Sequence, residues 1–189
     1  MTKLSLFLTL AERSLQEHKD PSDWFKKIRE NIKDLSGGFR DLLWVIDPQK
    51  DSLSDAVLRL KDFGEDLFDQ TTIDFRVSGY KECLYDVILD PQTKKQIVMI
   101  FKEAIHNSAK YAQATSIHLD VATNGAYSNM TLYDNGTGFH VNQKSKGRGL
   151  KNMKDRAEKI KAQLDIQSND KGTAIVLSRI PHMRDKTQV

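Results

Sequence analysis

The stretch that most constrains this chain is Phe101-Lys-Glu-Ala-Ile-His-Asn-Ser-Ala-Lys-Tyr-Ala112. Wound as an α-helix at about 100° per residue, it gathers Glu103, Asn107 and Lys110 within roughly one sixth of the circumference. Ile97, Phe101, Ile105 and Ala112 fall on the opposite side. One face must be buried, while the other aligns an acid, an amide and a cation over about two turns. Alone, such a face fits the wet side of any amphipathic helix. The sequence beyond it narrows the choice. Strands are predicted at 116–123 and 128–134, joined by Asn124-Gly125, a strong hairpin signal. The second strand ends in Tyr133-Asp-Asn-Gly-Thr-Gly-Phe139, a carboxylate running into two spaced glycines. A polar loop follows, and Lys146-Gly-Arg-Gly-Leu-Lys-Asn-Met153 then opens a helix over 148–162.

The remaining elements follow from periodicity and punctuation. Residues 2–19 predict one helix, with Leu4, Leu8, Ala11 and Leu15 at helical spacing, broken at Asp20-Pro21. Ser22 is expected to cap a second helix, with Asp23 in its first turn. Trp24, Ile28, Ile32, Leu35, Phe39, Leu42 and Ile46 then recur every three or four residues until Asp47-Pro48 ends the helix. Gly37-Gly38 weakens it locally. A lone antiparallel hairpin cannot bury both apolar stripes; pairing two hairpins into a four-helix bundle does, and packing on the rest of the chain is the alternative. A third helix is predicted at 53–69, capped by Ser52 or Asp51. Thr72–Val77 predicts a strand, and Asp90-Pro91 opens the long central helix with proline at its first position. Strands near 163–168 and 173–180 close the pattern.

We therefore expect an α+β chain: a helical hairpin at 1–50, a linking helix at 51–70, a domain at 71–182 with helices on one face of a mixed sheet, and a tail at 183–189.

Composition excludes more than it selects. The 39% hydrophobic and 29% charged residues suit a globular protein, and the net charge of +3 is spread among acids. No concentrated basic stripe marks a nucleic-acid partner. Cys83 is alone, so no internal disulfide is expected and a reducing compartment is the simplest setting; no Cys and His spacing reads as a zinc site. Met1–Ala11 mimics a signal peptide, but its apolar run is short and Glu12-Arg13 follow at once. No stretch approaches the ~18 to 20 apolar residues of a membrane span. These residues are thus expected to make no membrane contact and to lie in the cytoplasm. No G-x-x-x-x-G-K-[ST] string is present, which excludes a P-loop as the phosphate device.

The stretches around Asn107, Asp134 and Gly149, in this order, resemble the N, G1 and G2 boxes of histidine kinase ATP-binding domains. The nearest likeness is to the subfamily that includes nitrate and nitrite sensors, and the wider group includes the gyrase, heat-shock chaperone and mismatch-repair ATPases. The resemblance covers about residues 70–181, and more weakly the helices before them. It implies a Bergerat-type α/β sandwich, ATP and Mg2+ as cofactors, dimerisation through the N-terminal helices, and a response regulator receiver domain as partner. Asp134 would accept a hydrogen bond from the exocyclic amine of adenine, which the carbonyl of guanine cannot offer. Gly136 and Gly138 would let backbone approach the purine, with Thr173 supporting the adenine end. Asn107 offers a neutral oxygen to magnesium. Lys110 would reach a phosphate, and Glu103 would act on the attacking group or orient water. Gly147, Arg148, Gly149 and Leu150 would present a helix start to the phosphates, with Lys144 and Lys146 in a mobile lid.

Kinases of this subfamily carry the phosphorylated histidine in an H-D box, a context that none of His18, His106, His118, His140 or His182 has. The expectation is an acceptor upstream of Met1. The expected function is the ATP-binding catalytic portion of a sensor histidine kinase. A related serine kinase acting on an anti-anti-sigma protein, or a nucleotide-binding interaction module without transfer activity, stands as the alternative.

Overall fold

A computed structural model describes residues 2–79, 84–124, 126–139 and 148–183. It divides into two compact units, 1–47 and 48–189. Cys83, Gly125, His140, Lys144, Lys146, Gly147, the tail beyond Met183 and the side chain of Leu42 lie outside the described residues.

The first unit is an antiparallel hairpin of α1 (Lys3–Gln16) and α2 (Ser22–Ile46). Thr2 caps α1 by accepting the Ser5 amide. Ser22 is not the cap of α2. Asp20 Oδ1 takes both its amide and its hydroxyl, at 2.9 and 2.6 Å, so Ser22 becomes the first helical residue behind Pro21. The Asp20 carboxylate, holding the turn from outside the helix, thus takes up the serine's amide and hydroxyl. Trp24 locks the hairpin: its ring lies 6.1 Å from that of Phe7, and its indole nitrogen donates to Ser14 Oγ at 3.2 Å. Ala11 is buried, whereas Leu8 and Leu15 are exposed. On α2, Ile32, Leu35, Phe39 and Ile46 also stay exposed. With 25 residues against 14, α2 outruns its partner by about three turns.

The second unit holds α3 (Leu53–Phe68), β1 (Asp74–Ser78), α4 (Pro91–Asn107), β2 (Ser116–Thr123), β3 (Tyr127–Asp134), α5 (Gly149–Lys159), β4 (Gln163–Asn169) and β5 (Gly172–Pro181). The five strands form one mixed sheet in the order β1-β2-β3-β5-β4, parallel only at β1–β2. This is the expected α+β sandwich. Strand alternation buries Ile117, Leu119 and Val121 of β2, Met130 and Leu132 of β3, and Ile175 and Leu177 of β5. The opposite parity, including Asp120, Asn129 and Tyr133, faces solvent. Ile97, Ile100, Phe101, Ala104 and Ile105 of α4 complete the core. Gly64 lets α3 approach β1, since a Cβ there would overlap the Phe75 ring.

Two local devices hold the helices in place. Ser52 and Asp55 form a capping box at the start of α3. Asp90 caps α4 by accepting the Gln92 and Thr93 amides, ahead of Pro91 at the first helical position. One departure matters for the site. The helix expected to run through Ala112 leaves α geometry after Asn107, and Ser108–Ala112 winds as a single π turn ending at Gln113 in the left-handed conformation.

Candidate functional site

The site grows from a charge placed where strand parity demands an apolar residue. Met130, Leu132 and Asp134 share the inward face of β3, and Asp134 is only 3% exposed. Its cross-strand neighbours continue the row: Ile117 on β2, Thr173 on β5, then Ser168 on β4. A buried carboxylate must be hydrogen-bonded. Oδ1 accepts the amides of Gly136 and Thr173, at 3.1 and 3.2 Å, and Oδ2 accepts the Ser108 hydroxyl at 2.7 Å. Among the described residues, each of its three hydrogen-bond partners is a donor. Beside it, the Thr173 and Ser168 hydroxyls lie 3.0 Å apart, and Ser168 Oγ accepts the Phe139 amide at 2.8 Å.

The turn after β3 is fastened to the end of the π turn. Thr137 donates its amide to Ala112 O at 2.8 Å, and Asn135 Oδ1 accepts the amides of Thr115 and Ser116. Gly136 and Gly138 serve close approach of chain to chain: a Cβ at Gly136 would overlap the Ala112 carbonyl, and one at Gly138, whose φ is +61°, would overlap the Asn169 carbonyl.

Above Asp134 opens a cleft of about 570 Å³, within the range of small-molecule sites. Of the residues singled out in the sequence, it brings together Glu103, Asn107, Asp134, Gly138, Arg148, Gly149, Leu150 and Thr173. Gly136 holds the turn behind it, and Gly147 lies outside the described residues. Lys110 does not line the cleft. The π turn carries it out to the surface, where its Nζ lies 5.1 Å from the centroid of Tyr111. Tyr111, Ser108, Phe139, Met153 and Ile175 line the cleft without having been singled out. Tyr111 follows Asn107 by four residues and Met153 follows Gly149 by four, so helical spacing carried a signal for both. Ser108 had none, because a straight helix turns it about 100° from Asn107.

At the far wall, α5 begins at Gly149 behind Arg148, which makes no side-chain capping bond. Its first-turn amides and helix dipole present partial positive charge to the cleft. The Glu103 carboxylate and Asn107 amide lie against Gly149, where a Cβ would overlap Glu103 Oε1. Among the described residues no group of three or more His, Cys, Asp or Glu side chains could hold a metal by itself. The Asn107 oxygen fits a magnesium ion of the kind that draws most of its ligands from phosphate and water.

Among the described residues, the histidines stand apart from the cleft lining. His18 is exposed at the hairpin turn, His106 packs edge-on against Phe63 at 5.2 Å, and His118 Nε2 lies 2.7 Å from Ser78 Oγ. His182 Nε2 lies 2.8 Å from Ser128 Oγ, and burial lowers its pKa.

A mixed five-stranded sheet under three helices matches the fold of solved histidine kinase ATP-binding domains. The chain superposes on the Acinetobacter baumannii histidine kinase AdeS with a TM-score of 0.62 at 16% identity, covering 97% of this chain and 98% of that one. The ATP-binding domain of PrrB from Mycobacterium tuberculosis gives 0.55 at 18% identity, over 70% and 95%. In sequence the chain is 28% identical over 186 residues to the sensor protein NarQ homolog of Haemophilus influenzae, covering 95% of this chain and 32% of that protein. The histidine-protein kinase/phosphatase DegS of Brevibacillus brevis is 35% identical over 82 residues, 42% of this chain and 21% of that protein. No family model matches. The chain is a relative of the sensor histidine kinases of two-component systems, and its second unit has the fold of their ATP-binding catalytic domain. It spans about a third or less of the length of these curated relatives.

Proposed function

We propose that this chain is the ATP-binding catalytic portion of a sensor histidine kinase, passing the γ-phosphoryl of ATP to a histidine outside these 189 residues and thence to a response regulator. The observation that carries the reading is Asp134, a buried carboxylate that accepts from Ser108, Gly136 and Thr173 and is set in a cleft that ends at a helix N-terminus. The carboxylate accepts the exocyclic amine of adenine, with Thr173 beside it fixing its orientation. Tyr111, Met153, Leu150 and Ile175 supply apolar surface for the ring. The phosphates lie toward Gly149 and Arg148, where amides and a guanidinium meet negative charge. Lys110 adds charge from the rim beyond Tyr111. Asn107 would hold a magnesium ion, which when bound supplies charge neutralisation on the phosphates. Glu103 is placed to orient the attacking group.

The hairpin supports a homodimer, because α2 exposes Ile32, Leu35, Phe39 and Ile46 along one helix. No helix among the described residues is long and apolar enough to cross a membrane. We place this part of the protein in the cytoplasm, beneath a membrane-bound sensor, on the likeness to the sensor proteins. Nothing favours a serine kinase or an inactive module.

Phosphoryl transfer tests the reading. With γ-labelled ATP, a longer chain that includes an H-D box acquires acid-labile label and these 189 residues do not. In the longer chain Asn107→Ala slows labelling by at least about tenfold, since transfer depends on positioning and charge neutralisation. Label mapped to His18 or His106 of the present chain would contradict the assignment.

A further inference from the structure

Ser108 has no part in the scheme above, yet it is 5% exposed and lines the cleft. As the first residue of the π turn, it donates its hydroxyl to Asp134 Oδ2 at 2.7 Å. A carboxylate offers roughly four acceptor sites. The amides of Gly136 and Thr173 occupy Oδ1, and Ser108 occupies one site of Oδ2. One acceptor site on Oδ2 remains for a donor entering the cleft that Ser108 and Asp134 share.

We propose that Ser108 is a positioning residue that sets purine specificity: by holding Oδ2 it fixes the one remaining acceptor site of Asp134, so the cleft takes a purine with an exocyclic amine there and refuses one with a carbonyl. This rests on the nucleotide-binding reading above. Removing the hydroxyl leaves Oδ2 with two open sites, free to recruit water or to rotate, and the bond to the amine loses its fixed geometry. Ser108 itself keeps α geometry, its amide bonded to Ala104 O, so it lies one turn beyond Ala104 on a face that also lines the cleft.

A hydroxyl that merely supports the fold would affect every ligand alike, whereas one acting through Asp134 affects only ligands bearing the amine. Calorimetric titration of ATP and of purine riboside triphosphate, which has hydrogen in place of the amine, separates the two. Ser108→Ala weakens ATP by roughly tenfold, the scale of one charge-assisted hydrogen bond lost in part, and leaves the analogue's affinity unchanged. Ser108→Thr, which keeps the hydroxyl, restores ATP affinity. Equal weakening of both ligands by Ser108→Ala, or no weakening of either, overturns the proposal. A wild-type chain that binds neither ligand, or an Asp134→Ala variant with full ATP affinity, overturns the nucleotide reading itself and the Ser108 inference with it.

Discussion

Lys94 is the most exacting single residue outside the cleft. It sits on α4 with no exposed surface, its Nζ donating to Lys50 O at 2.9 Å and Asp51 Oδ1 at 2.6 Å. The contact pins the segment before α3 to the central helix, where the amides of Leu53 and Leu89 bond to the carbonyls of Val87 and Asp51. The two partners are not equivalent: Asp51 keeps a quarter of its side chain exposed, and Lys94 keeps none. Breaking such a pair is most costly when it strands the buried member. Asp51→Ala is therefore expected to lower stability by about 3 to 5 kcal/mol. Lys94→Met fills the same space and frees a carboxylate that can turn to water, so it costs less. Denaturant unfolding of both variants checks the order. Sequence reading did not find Lys94, because a lysine in a helix reads as solvated and only the tertiary partner shows otherwise. Asp134 was legible because the glycines after it made a recognisable stretch, and strand parity gives the same answer independently.

Helices and strands were legible to within a few residues where hydrophobic period and punctuation agreed, as at Asp90-Pro91 and at the Ser52 cap. They were misread where a local hydrogen bond decided: Asp20 displaces Ser22 from its capping role, and the π turn redirects Lys110. The π turn has no compositional signature, since Ser-Ala-Lys-Tyr-Ala suits an ordinary helix; the contacts at its two ends, Ser108 to Asp134 and Thr137 to Ala112, are tertiary. The end of β5 carries a pH-sensitive element. Burial lowers the pKa of His182, beside Ser128. A histidine depressed in the folded state contributes stability that is present above its unfolded value of about 6.5 and is lost as pH falls through its folded value. Amide exchange at the β3–β5 end is expected to quicken on acidification across that window in the wild type. The quickening should be smaller in His182→Gln, and equal quickening in both would contradict this.

At the scale of the whole molecule, the two units would divide the work between assembly and nucleotide chemistry, as proposed above. The hairpin buries Ala11 and fastens Trp24, but leaves a line of aliphatic and aromatic side chains on α2 without cover in one chain. A concentration-dependent dimer is expected in sedimentation, and Ile32→Asp should shift it toward monomer without changing ATP affinity. The sequence showed the apolar stripes. It did not show which of their residues the hairpin itself consumes, because that depends on how α1 and α2 rotate against each other.

The central claim is that Asp134 reads the base, and calorimetry with magnesium tests it most directly. The wild-type chain is expected to bind ATP and to discriminate strongly against GTP. Asp134→Ala and Asp134→Asn should each weaken ATP by roughly ten- to hundredfold, the weight of about 1.5 to 3 kcal/mol for a buried charge-assisted hydrogen bond. Wild-type ATP affinity in both variants, or equal binding of ATP and GTP by the unaltered chain, would contradict the account.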